Sequence, residues 1–127
     1  MTPAEIADHA MDAQDRLAGE VLDMLRESDE FGPVFEKLDG WRCIVRHIGS
    51  EWVPLNVMWS RYTDDDQECV TLIVEIGNPV WALVERTDPG GFAGYVRCGG
   101  RARWYDIVAA ADVAVAEFEK LKEGTNV

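Results

Sequence analysis

The chain has little cysteine, histidine and lysine and no long apolar run, and each shortage narrows what it can do. Three cysteines in 127 residues, Cys43, Cys69 and Cys98, are too few and too scattered for a disulfide framework. Their odd count leaves one thiol unpaired, as a reducing cytoplasm tolerates. No stretch approaches the roughly eighteen apolar residues of a membrane span. The opening MTPAEIADHAMD has neither the basic region nor the apolar run of a signal peptide, so the expected location is cytoplasmic. Two histidines, His9 and His47, and no Ser or Cys in a nucleophile-elbow context leave a thin inventory for acid–base or nucleophilic catalysis. The expectation is a protein that is not an enzyme, with no cofactor and no metal.

Cationic residues are also scarce. Twelve Lys and Arg stand against 24 Asp and Glu, a net charge of -12, which argues against direct binding to nucleic acid or to an anionic membrane, where basic side chains must neutralise phosphate. The expected partner is a protein, and a basic one. Nine of the cations are arginine and three lysine, a bias typical of GC-rich bacterial or phage genomes. The acidity is uneven: residues 1–40 carry eleven acids against three bases, residues 41–105 eight against seven, and residues 106–127 five against two.

What is present reads as one α+β domain spanning residues 1–127. Thr2-Pro3-Ala4-Glu5 has the marks of a helix start, a capping hydroxyl, a proline in the first turn and an acid three residues after the cap. The helix is expected to run to about Ser28. Ile6, Ala10, Ala13, Leu17, Val21, Leu22, Met24 and Leu25 fill one side of its wheel, and Glu5, Asp8, Asp12, Asp15, Glu20, Asp23 and Glu27 the other. Pro33 to Leu38 is read as one further helical turn. From Trp41 the pattern turns to β-branched and aromatic runs, WRCIVRHI, LNVMWSRYT, CVTLIVEI, PVWALVER and FAGYVRC, separated by turn residues close enough for hairpins. They predict a five-stranded, mainly antiparallel meander. A C-terminal helix packed on the sheet is expected from about Tyr105 or Asp106 to Lys122, with Ile107, Ala111, Ala114, Phe118 and Leu121 inward.

Several local patterns resemble sites. Cys43 and His47 share a strand face but lie about 13 Å apart at 3.3 Å per residue, too far for one ion, and are read as packing residues. The acidic run Asp64-Asp65-Asp66-Gln67-Glu68 lacks the spaced ligands of a calcium loop and is read as a solvated hairpin turn. In Cys98-Gly99-Gly100-Arg101-Ala102-Arg103-Trp104-Tyr105, two arginines and two aromatics precede a helix N-terminus, which favours anions. Arg101, Arg103, Trp104 and Tyr105 are therefore the candidate residues for a small anionic ligand.

The stronger candidate is a partner surface. Asp8, Asp12 and Asp15 repel one another at helical spacing where a solvated face would interleave lysine. With Glu20 and Asp23 they form a carboxylate row suited to a basic groove, where carboxylates stand in for phosphates. Five tryptophans, Trp41, Trp52, Trp59, Trp81 and Trp104, all fall in the sheet half among seven arginines, the residue types that interface hot spots favour. Trp59 and Trp81 join the partner-binding set. If both helices cover one face of the sheet, the other keeps an arginine-and-aromatic surface; if they cover opposite faces, tryptophan is core.

Small immunity proteins and phage-borne inhibitors resemble this chain in outline: short, acidic, Trp-containing and without catalytic motifs. The tail ADVAVAEFEKLKEG is similar to the closing helix of some toxin-immunity proteins. Secretion chaperones, also small, acidic and α/β, resemble it as well. The implied function is a non-enzymatic binding module, an inhibitor or antidote engaging a basic protein. The alternatives are a small anionic-ligand-binding domain or a chaperone-like homodimer joined through the sheet.

Overall fold

The computed structural model describes residues 2, 3, 6, 18–47, 55–77, 79–88, 93–96 and 103–125. At the N-terminus Pro3 and Ile6 are helical, and the Ile6 N–H donates to the Thr2 carbonyl at 3.0 Å, in keeping with a helix start there. Helix α1 (Ala18–Glu27) buries Val21 and Leu25, four residues apart, and exposes Glu20, Asp23 and Glu27. Ser28 ends it. Its hydroxyl donates to the Leu25 carbonyl at 2.8 Å and accepts from the Phe31 N–H at 3.1 Å. Helix α2 (Gly32–Lys37) follows at once, its proline in the first turn where a missing N–H costs nothing. A Cβ on Gly32 would meet the Arg26 carbonyl at 3.3 Å, so this close turn suits glycine. Gly40, at φ +84°, reverses the chain into the sheet.

Strands β1 (Arg42–His47), β2 (Leu55–Tyr62), β3 (Cys69–Ile76), β4 (Trp81–Thr87) and β5 (Ala93–Tyr95) pair antiparallel in sequence order, the meander that the short connections predict. Pro79 lies just ahead of β4, where its missing donor breaks no ladder. The two-residue β6 (Arg103–Trp104) was not evident in the sequence; it pairs with β4 at Ala82 and Leu83, beside the stretch Glu85–Thr87 that β5 occupies. The acidic turn between β2 and β3 is closed by its own side chains. Asp65 accepts from the Thr63 hydroxyl at 2.6 Å and the Gln67 N–H at 3.1 Å, which holds its carboxyl below the ordinary value.

The register sorts the sheet into two faces. Leu55, Val57 and Trp59 of β2 stand beside Ile76, Val74 and Leu72 of β3, and Ala82 and Val84 of β4 continue those rows. All of these are buried. Onto this face pack Val21 and Leu25 of α1, Phe31, Val34 and Leu38 around α2, and helix α3 (Ile107–Thr125) through Ile107, Ala110, Ala111, Ala114, Phe118 and Leu121. The inward stripe of α3 is the one its 3.6-residue spacing predicts. The architecture is thus two layers, every described helix on one face of the sheet. None of the described helices is long and apolar enough to cross a membrane.

Trp59 corrects an expectation. Placed by sequence in a partner surface, it is 1% exposed and packs on Phe31 and Phe35 at ring-centroid distances of 6.3 and 5.1 Å. Its strand parity puts it on the covered face. At the start of α3, the Asp106 carboxylate accepts from the N–H groups of Val108 and Ala109 at 3.1 and 3.0 Å. Asp106→Ala should therefore cost about 1 kcal/mol of stability, read as a lower urea midpoint with an unchanged slope.

Candidate functional site

Two members of the carboxylate row that the sequence pointed to, Glu20 and Asp23, lie on the outside of α1, which together with the α2 region forms an acidic surface. Glu20, Asp23, Glu27, Asp29, Glu30, Glu36 and Asp39 are all exposed. Among the described residues none of these seven closes an ion pair with a basic side chain. The two bases of the segment are engaged elsewhere. Lys37 reaches across to Asp112 of α3 at 2.7 Å, and Arg26 lies over the Phe35 ring at 5.2 Å. The remaining carboxylate pairs involve other acids: Arg86 approaches Glu68 at 3.6 Å and Glu117 at 3.9 Å, and Lys120 bonds Glu117 at 3.0 Å.

A cavity of about 540 Å³ opens within this acidic segment, lined by Arg26, Phe35, Glu36, Leu38, Asp39, Gly40, Trp41, Cys43 and Trp59. It lies where α2, only six residues long, gives way to the turn at Gly40. Carboxylates and one guanidinium rim it, and aromatic and aliphatic groups make its floor. Sequence reasoning missed this cavity, although Phe35, Trp41 and the intervening Gly40 hold the signal for it: a short helix, a left-handed turn and a tryptophan opening a strand.

Burial pushes the Cys43 thiol up to about 11, with nearby Arg26 pulling slightly the other way. Cys43 is therefore a protonated, packed thiol at neutral pH and a poor nucleophile. At pH 8 it should alkylate about 100-fold more slowly than a thiol at the ordinary value of 9.0, as timed iodoacetamide labelling with peptide mass spectrometry would read. Among the described residues no three His, Cys, Asp or Glu side chains converge to hold a metal ion.

The sequence-derived candidates fall in different places. Glu20 and Asp23 are on the exposed side of α1; Asp8, Asp12 and Asp15 lie outside the described residues. Trp81 lies on the sheet face opposite the helices, half-buried beneath the Arg103 guanidinium, which sits 4.4 Å from the centroid of its ring. Of the residues proposed for an anionic ligand, Arg103 and Trp104 are not brought onto one face. Arg101 is outside the described residues, and Arg103 and Trp104, adjacent in β6, point to opposite faces because strand side chains alternate. Tyr105 is 62% exposed. The donors at the start of α3 that would hold an anion are taken by Asp106. Comparison with models of known families, with curated proteins and with solved structures finds no match to the chain.

Proposed function

We propose that the protein is a non-enzymatic binding module whose acidic helical layer engages a basic protein partner, in the manner of an inhibitor or antidote that fills a cationic groove. The observation that carries this reading is the row of seven exposed carboxylates between Glu20 and Asp39, left without cationic partners among the described residues. Uncancelled carboxylates on a helical scaffold attract a basic surface from a distance and set its orientation. The adjoining cavity offers a partly apolar recess in which one anchor side chain of the partner can be buried, the usual centre of a protein interface.

Affinity capture from the native host tests this. The wild-type protein should retain a basic protein at low salt and release it as NaCl is stepped up, since exposed charge pairs are screened within about 10 Å at 0.1 M salt. A protein carrying Glu20→Lys and Asp23→Lys should retain much less of it. Retention of the same protein by both, at every salt step, would reject the acidic layer as the docking surface.

A further inference from the structure

The sheet face that no described helix covers is not an ordinary wet surface. Ile44, Tyr62 and Tyr95, three of the four exposed large hydrophobic side chains, belong to it by register. Its charge also differs from the rest of the molecule. Among the described strand residues Arg42, Arg46 and Arg103 share this face with Glu75 and Glu85, while the acids of α1 and α2 lie on the opposite layer.

The cross-strand rows are self-complementary. One row runs Ile44, Met58, Ile73, Leu83 across β1 to β4 and is apolar from end to end. The next runs Arg42, Ser60, Thr71, Glu85, with a cation at one end and an anion at the other. The third runs Arg46, Asn56, Glu75, Trp81. A two-fold axis lying in the interface along the strands, between β2 and β3, carries β1 of one copy over β4 of the other. Each row then meets itself reversed. Met58 falls on Ile73, Ile44 on Leu83, and Ser60 on Thr71, while Arg42 meets Glu85 twice. In the third row Asn56, itself buried within the protomer, lies beneath Glu75 of the other copy. Arg46 comes over Trp81, which already carries Arg103, and Glu75 supplies the balancing charge. An axis across the strands would instead stack β1 on β1 and put arginine on arginine.

We infer that the protein pairs with a second copy of itself through this face, sheet on sheet, with the acidic helical layers outermost. Four strands about 4.8 Å apart and about 20–26 Å long give a face of roughly 450–500 Å² per copy. The pair then buries about 900–1,000 Å², the size of a weak, reversible association. Symmetry requires such an interface to be the same patch on both subunits, which the reversed rows satisfy. This inference stands apart from the partner reading and does not depend on it.

Sedimentation velocity over about a hundredfold range of concentration tests it. The wild type should move from the 14.2 kDa protomer to twice that mass. Arg42→Glu and Glu85→Arg, both at non-core positions, should each weaken self-association about 100-fold, since each replaces two attractive contacts with two repulsive ones. Mixed together, the two variants should associate again, because every contact then joins opposite charges; this recovery also shows that both are folded. A protomer mass at every concentration, or two variants that stay apart when mixed, would overturn the inference.

Discussion

Trp59→Ala is expected to lower the unfolding free energy by about 3–5 kcal/mol, the largest single-residue effect in the molecule. Trp59 joins both layers: it sits in the middle of β2 between Cys43 and Leu72 on the flanking strands, and it receives Phe31 and Phe35 from the α2 region. Truncation removes part of the lining of the 540 Å³ cavity together with the contacts to Phe31 and Phe35. A loss of that size is a third or more of the stability of an ordinary small domain. Chemical denaturation should show a much lower midpoint. Trp59→Phe keeps a ring against Phe31 and should cost well under half as much. An alanine variant as stable as the wild type would mean that the two layers are not held together through this residue.

The second large effect concerns binding. Reversal of Asp8, Asp12, Asp15, Glu20 and Asp23 to lysine should weaken association with the captured partner by about 100-fold or more at low salt. Each exposed charge contributes only about 0.3–1 kcal/mol, but five reversals act in the same direction. The loss should fall mainly on the association rate, because steering by a distant field changes encounter more than residence. Fold stability should stay the same or rise slightly, since like charges close in sequence repel one another and no described base holds Glu20 or Asp23 in place. Surface plasmon resonance beside thermal melting separates the two effects. Weaker binding with a parallel loss of stability would point to damage to the fold instead.

Much of the fold could be read in the sequence because it depends on local periodicity. The alternation in LNVMWSRYT and CVTLIVEI placed β2 and β3, and the spacing of Ile107, Ala111, Ala114, Phe118 and Leu121 placed α3 and its buried stripe. Alternation says which residues share a face but not which face the helices choose. That choice decided between Trp59 and Trp81, both surface candidates by sequence, and it sent the first into the core and left the second on the open side. Strand β6 escaped notice because two residues carry no period, and its pairing with β4 is set by tertiary contact alone. Arg103 and Trp104, two of the anionic-ligand candidates, part for a related reason. Neighbours in a strand look close in sequence and point apart in space, as Arg103 and Trp104 do. The cavity beside α2 lies at the end of a six-residue helix, a property of length and turn geometry rather than of composition.

The most direct measurement of the central claim is the salt dependence of binding between the protein and its captured partner. If exposed carboxylates on the helical layer carry the interaction, the logarithm of the association constant should fall steadily as the logarithm of the salt concentration rises, and the charge-reversed protein should lose that slope. Equal affinity from low to high salt, with no change on charge reversal, would contradict it.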